Sequence, residues 1–230
     1  MRSLGLGRLD GDAEAVTGVE IDSRRVGPGV LFVAVRGGVA YLDDARRRGA
    51  LTLVPDDELA ALAALGRAVR GRSDARVVGI TGSVGKTSTK DILAALLQRR
   101  LRTVAAEEGF NNELGLPLTL CRVEPDTEVV VAEMAMRGLG QIRELARLAR
   151  PDLGVITAIA PVHLEALGSL ENVARAKAEL LEELPAGAVA VLPAEAPELE
   201  PFVPAGLDVR RFAPPQAEVR DGRTHIEFRG

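Results

Sequence analysis

The 230-residue chain is 47% hydrophobic and 27% charged, with a net charge of −4. That is a globular balance, and it gives no electrostatic basis for bulk nucleic-acid binding. Aromatic residues at 3%, with no tryptophan, leave little for bases to stack on. No apolar run reaches the roughly 18 residues of a membrane-spanning helix, and the N-terminus lacks the apolar stretch of a signal peptide. A single cysteine, Cys121, excludes an intrachain disulfide, which fits a reducing cytoplasm. A cytoplasmic monomer without membrane insertion is expected.

Residues 1–74 read as a separate small α/β unit. Val19-Glu20-Ile21 and Val30-Leu31-Phe32-Val33-Ala34-Val35 are strand-like, with Pro28-Gly29 as a turn between them. Residues 41–48 form a short helix candidate closed by Gly49, whose Arg46-Arg47-Arg48 run reads as a solvated face. Leu51-Thr52-Leu53-Val54 is a further strand, 59–69 a helix, and Gly71-Arg72-Ser73-Asp74 a linker. From Arg76 onward strands (77–81, 103–105, 129–133, 153–158, 188–192) alternate with helices (87–100, 139–149, 170–184). Residues 217–228 alternate around Asp221-Gly222 like a β-hairpin. Strands spaced by helices imply an α/β fold with a mostly parallel, doubly wound sheet over 75–230. Ligands of such sheets bind beyond the carboxyl ends of the strands, so each polar candidate is judged by whether it follows a strand.

The strongest signal is Gly82-Ser83-Val84-Gly85-Lys86-Thr87-Ser88, which follows the β-branched run 77–81 and opens a helix. The full phosphate-loop pattern would place a glycine where Ile80 stands; Gly82-x-x-Gly85-Lys86-Thr87 remains. In a strand–turn–helix context this reads as a phosphate cradle, with backbone N–H groups and a helix N-terminus facing the anion. Lys86 would reach the terminal phosphates and Thr87 would place a hydroxyl on Mg²⁺. The bland alternative is an ordinary corner with a solvent-facing lysine. The helix that follows offers Ile92, Leu93, Leu96 and Leu97 as its apolar face.

Other candidates are weaker. Glu133 ends the run Val129-Val130-Val131-Ala132, where a carboxylate would hold Mg²⁺ near the phosphate loop or simply meet solvent. His163 follows the strand at 153–158; a lone histidine is more often structural than a ligand, which leaves a functional role about even here. His225, in the alternating C-terminal segment, reads as a strand residue without function. Lys177 lies seven positions after Leu170 on the apolar face of the 170–184 helix. A buried ammonium needs a partner or loses its proton, whereas a lysine at the stripe's edge would snorkel to water. Asn111-Asn112-Glu113 follows the second strand of the sheet and would bind substrate or phosphate, although Asn and Gly also cluster in loops for conformational reasons. Cys121 reads as a small core residue rather than a nucleophile.

The stretches 79–90 and 110–119, with Glu133-Met134-Ala135-Met136-Arg137-Gly138, Pro161-Val162-His163-Leu164-Glu165 and Ala176-Lys177-Ala178-Glu179, resemble the Mur ligases. The Asn-Asn-Glu and Glu-Met segments resemble the branch that adds D-alanyl-D-alanine to a UDP-N-acetylmuramoyl tripeptide (the MurF type). Asp22-Ser23-Arg24 and 28–34 resemble the family's N-terminal domain, which binds the uridine nucleotide. The resemblance implies an ATP- and Mg²⁺-dependent amide ligase of peptidoglycan synthesis. In it the tripeptide carboxylate is phosphorylated and the amine of D-Ala-D-Ala attacks the acyl phosphate. It also implies that Glu133 and His163 are metal ligands, that Lys177 is carbamylated, and that Asp22, Ser23, Arg24, Asn111, Asn112 and Glu113 face the UDP-MurNAc-peptide substrate.

The chain differs from the family in four places. Arg36-Gly37-Gly38-Val39-Ala40 replaces a longer loop with an Asp-Gly-His element, and Ala158 and Ala160 replace an Asn and a Gly. Pro193 falls where the family has an Asn-containing element near the adenine; proline offers neither an amide side chain nor an N–H. The family's C-terminal domain, which carries the amine-substrate side, has no counterpart within residues 1–230. The competing readings are an unrelated phosphate-loop NTPase, and a nucleotide-binding remnant or regulatory module without ligase activity.

Overall fold

The computed structural model describes residues 5–11, 15–162, 164–213, 216–220 and 223–227. Two α/β units share one apolar seam. The first is a four-stranded sheet built from β1 (Gly7–Asp10), β2 (Gly18–Glu20), β3 (Val30–Val33) and β4 (Leu51–Pro55), in the order β1-β4-β3-β2. β2, β3 and β4 are parallel, and β1 pairs antiparallel with β4. Helix α1 (Leu42–Arg47) covers one face, where Phe32, Ala34, Leu42 and Ala45 are buried. Helix α2 (Glu58–Arg70) covers the other with Leu62 and Leu65. Asp57 caps α2 by accepting from Ala60 N at 2.9 Å, which satisfies one of the N–H groups left free in a helix's first turn.

The second unit is a six-stranded parallel sheet in the order β10-β9-β8-β5-β7-β6. Its strands are β5 (Arg76–Thr81), β6 (Thr103–Ala105), β7 (Val129–Glu133), β8 (Leu153–Ile156), β9 (Val189–Pro193) and β10 (Asp208–Phe212). β7 is buried at every residue, as a near-continuous Val run predicts for a strand covered on both faces. Helix α3 (Lys86–Leu97) packs on one face, over Ile80, Val129 and Val131. On the other face lie α4 (Gly115–Cys121), α5 (Gln141–Ala149) and α7 (Leu170–Glu182), with the one-turn α6 (Leu164–Leu167) before α7. The expected α/β class, with a mostly parallel doubly wound sheet and a smaller N-terminal sheet, is what the chain adopts. β11 (Gln216–Arg220) and β12 (Arg223–Glu227) form the expected antiparallel hairpin. Its Asp221-Gly222 turn lies outside the described residues.

Several local expectations need correction. The apolar face assigned to α3 is wrong at two positions: Ile92 and Leu96 are 63% and 61% exposed. The inward face is Lys90, Leu93, Ala94 and Leu97, because at 100° per residue positions 92 and 96 fall opposite 90 and 94. β8 stops at Ile156, because residues 157–160 leave the sheet to bond the phosphate loop. α7 ends at Glu182, short of Leu184. α4, β1 and β10 had no sequence counterpart among the expected elements.

α4 also joins the two units. Its flanking and internal residues Leu114 and Leu118 are buried in the same cluster as Leu31, Val33, Leu51 and Leu53 of the N-terminal sheet and Leu62 and Leu65 of α2. Gly66 of α2 lies so close to Pro117 of α4 that a Cβ there would meet Pro117 Cα at 3.0 Å. Arg70, at the end of α2, is 8% exposed and donates to Ala149 O (2.8 Å), Arg150 O (3.1 Å), Ser73 O (3.0 Å) and Ala75 O (3.0 Å). One guanidinium thereby satisfies the C-terminal carbonyls of α5 and anchors the linker.

Candidate active site

The carboxyl ends of β5, β7 and β8 converge on one corner of the sheet. β5 runs into Gly82, whose φ of 147° suits glycine alone. A side chain there would overlap Thr157 Oγ1, so the β8 loop lies directly against the turn. Thr157 Oγ1 donates to Val84 O at 2.6 Å, Ser83 N donates to Ala158 O at 2.8 Å, and Ser83 Oγ bonds Ala160 O at 3.0 Å. Gly85, with φ of 83°, then turns the chain into α3. No side chain caps α3 and its first turn carries no acid, so its free N–H groups and positive dipole end favour an incoming anion. Lys86 Nζ lies across the loop, donating to Gly82 O at 2.8 Å.

Glu133 ends β7 beside this loop and is 2% exposed. Its Oε1 accepts from Thr87 Oγ1 at 3.2 Å and from Asn111 Nδ2 at 2.9 Å. The Asn111 carbonyl accepts Ala135 N at 2.7 Å, which fastens the β6 loop to the second residue after β7. Thus Lys86, Thr87, Glu133 and Asn111, read separately from the sequence, meet at one place. A buried carboxylate beside a hydroxyl is a hard-oxygen donor set suited to Mg²⁺. Among the described residues no group of three His, Cys, Asp or Glu could hold a metal ion, and His163 lies outside the described residues.

Lys177 is buried, at 3% exposure, and no carboxylate among the described residues offsets its charge. Desolvation, aided by the positive charge of Lys86, pulls its amine down to about 8 from the ordinary 10.5. The snorkelling alternative therefore does not hold: the side chain is inside, near Lys86. Position on the apolar stripe marks it as a candidate but does not by itself favour burial over snorkelling.

The remaining candidates make local contacts or face solvent. Asn112 Oδ1 accepts Leu114 N (3.1 Å) and Gly115 N (3.0 Å), opening α4, while Glu113 and Ser88 are exposed. Asp22 accepts the Arg24 side chain, which holds its carboxyl down at about 2. Ser23 is buried and donates to Asp44 at 2.9 Å. Next to them, Arg25 pairs with Glu107 after β6 at 2.9 Å. Burial pushes the Cys121 thiol up to about 12, so it is no nucleophile at neutral pH. Sequence reasoning missed Lys90, which is 3% exposed and donates to Ala106 O at 2.8 Å. It gave no separate role to Glu179, whose carboxylate accepts Gly140 N (2.6 Å) and Arg143 N (3.1 Å) at the start of α5. Nothing in a hydropathy pattern marks either.

Residues 80–205, more than half of the chain, match the family model for the Mur ligase middle domain. The chain belongs to the Mur ligase family. Relatives within it are UDP-N-acetylmuramoyl-tripeptide–D-alanyl-D-alanine ligases. That of Synechocystis is 37% identical over 191 residues, covering 74% of this chain and 42% of the relative. That of Mycobacterium tuberculosis is 39% identical over 222 residues, covering 79% and 44%. The crystal structure of MurF ligase from Thermotoga maritima in complex with ADP is 30% identical and superposes with a TM-score of 0.77, over 92% of this chain and 55% of that one. The chain spans about half the length of the curated relatives it matches.

Proposed function

We propose that this Mur ligase chain binds Mg·ATP at the β5–β7–β8 corner and serves the D-Ala-D-Ala-adding step of peptidoglycan precursor synthesis. The observation that carries the reading is the convergence of Thr87 and Asn111 on the buried Glu133 carboxylate, beside Lys86. The relatives' names supply the substrates: a UDP-MurNAc-tripeptide and D-Ala-D-Ala. A cytoplasmic site follows from those substrates, and no helix among the described residues is long and apolar enough to cross a membrane.

The phosphate loop and the α3 N-terminus bind the nucleotide phosphates. Lys86 exchanges its hydrogen bond to Gly82 O for the terminal phosphate and stabilises charge as the phosphoryl group moves to the tripeptide carboxylate. Thr87 and Glu133 would hold Mg²⁺, which would supply countercharge to the phosphates. Asn111 orients Glu133 by occupying one of its lone pairs. Lys177, as a carbamate, and His163 would complete a second metal position; burial favours the neutral amine that carbamylation requires. Asp22, Ser23, Arg24, Asn112 and Glu113 are retained as substrate-side residues on the family resemblance alone. Residues 1–74 are proposed as the UDP-substrate unit and 75–230 as the ATP-binding unit.

Thermal shift with Mg·ATP tests the reading. A ligand that binds only the native state raises its melting temperature. The parent chain is expected to gain several degrees at saturating nucleotide, and Lys86→Ala to gain none. Equal gains by both would refute the assignment.

A further inference from the structure

Thr81 is the last residue of β5 and fully buried, yet its hydroxyl has no hydrogen-bond partner. Among the described residues it is the one buried side-chain polar atom in that condition. Such orphans are rare and costly, and one beside a functional site calls for a functional explanation. The direction of the side chain follows from the pleat, which places Val77, Gly79 and Thr81 on one face. A Cβ on Gly79 would meet Leu180 Cδ1 of α7 at 2.8 Å, so this is the α7 face. α7 returns from β8 to the parallel β9 and so runs antiparallel to β5. Two residues beyond Gly79 on the strand is Thr81; one turn back from Leu180 on the helix is Lys177. The Lys177 amine is close enough to Lys86 to feel its charge, and Lys86 rests on Gly82, the neighbour of Thr81.

We propose that the Thr81 hydroxyl is the positioning donor for a carbamate on Lys177. The inference rests on the carbamylation reading given above. The Lys177 Nζ lone pair adds to CO₂, a C–N bond forms, one proton leaves to solvent, and a carbamate anion with two acceptor oxygens results. As an ammonium Lys177 has no lone pair to offer Thr81, and the backbone carbonyl of Thr81 itself already accepts from Thr157 N at 2.9 Å. Carbamylation is the step that gives the hydroxyl an acceptor, and an anionic one, between two residues that are both buried.

The test is a titration with ¹³C-bicarbonate, reading the carbamate carbon by NMR in the purified chain, with Lys177→Arg as the blank. Thr81→Val deletes the hydroxyl at nearly constant volume. It is expected to need about tenfold more bicarbonate for the same signal, the worth of one hydrogen bond to a charged group. Thr81→Ser is expected to titrate like the parent. In CO₂-free buffer Thr81→Val should melt no lower than the parent, because it removes an unpaired hydroxyl. Thr81→Ala carries the test if Thr81→Val does not fold. A hydroxyl-deleted variant that titrates like the parent overturns the inference and leaves carbamylation standing. A parent chain with no carbamate signal overturns both.

Discussion

Two lysines are buried near the phosphate loop, and they are solved differently. Lys90 donates to Ala106 O and pairs with Asp91 at 2.8 Å; Lys177 has no such partner among the described residues, and its proton affinity drops to about 8. The sign of the consequence is definite. Between about pH 8 and 10.5 the unfolded chain holds this proton and the folded chain does not, so stability rises with pH across that window. Below pH 8 the penalty is present in full, about 3 kcal/mol at 1.36 kcal/mol per unit. Lys177→Met should therefore be more stable than the parent at pH 7 in CO₂-free buffer, with the difference closing as pH approaches 10.5. Chemical denaturation of both chains across that range checks it; a gap that stays constant with pH is the contrary result. Lys177 was legible in the sequence because a charge on an apolar stripe breaks a pattern. Thr81 and Lys90 were not, because a threonine ending a strand and a lysine early in a helix break none.

At the scale of elements, α5 shows how a site loop is fixed from outside. The segment from Met136 to Gly140 follows Glu133, and α5 has no cap of its own: Gly140 precedes it with φ of 86°. Glu179 supplies the missing acceptor from α7, 2% exposed, on two N–H groups. A buried charge-assisted pair outweighs an ordinary cap such as Ser169, which accepts Asn172 N at 3.1 Å. Glu179→Ala is expected to cost about 2–3 kcal/mol and Ser169→Ala about 1 kcal/mol, measured by urea unfolding; the reverse order would refute the argument. β5, β7 and β9 were legible because strands buried on both faces are written as apolar runs. β10 was not: it is an edge strand whose Asp208, Arg210 and Arg211 face water, and charge at an edge discourages further pairing. α4 was hidden by Pro117, which a helix tolerates in its first turn but which reads as a breaker. The site's members were each visible as strand-end or loop residues, while their meeting at Glu133 depends on strand order, which no local pattern encodes.

For the whole molecule, the question is what couples the N-terminal sheet to the nucleotide corner. The exposed Arg25–Glu107 pair, with side chains 44% and 34% accessible, is screened by water and worth at most about 1 kcal/mol. The apolar seam is far larger: Leu114 and Leu118, which follow the central sheet's β6, complete the core of the N-terminal sheet. A chain cut at residue 74 would leave that core open and those leucines in water, so the two units are expected to unfold together. Native-state hydrogen exchange reads this directly, comparing amides of β3 with amides of β7. In the parent, both sets should open with the same free energy. Leu118→Ala, with its side chain 2% exposed, should lower both by an equal amount of about 2–5 kcal/mol, whereas Arg25→Ala should lower both by no more than about 1 kcal/mol. Loss of protection in β3 alone would mean that the N-terminal sheet opens independently. The seam would then be a docking contact between separate units rather than a common core.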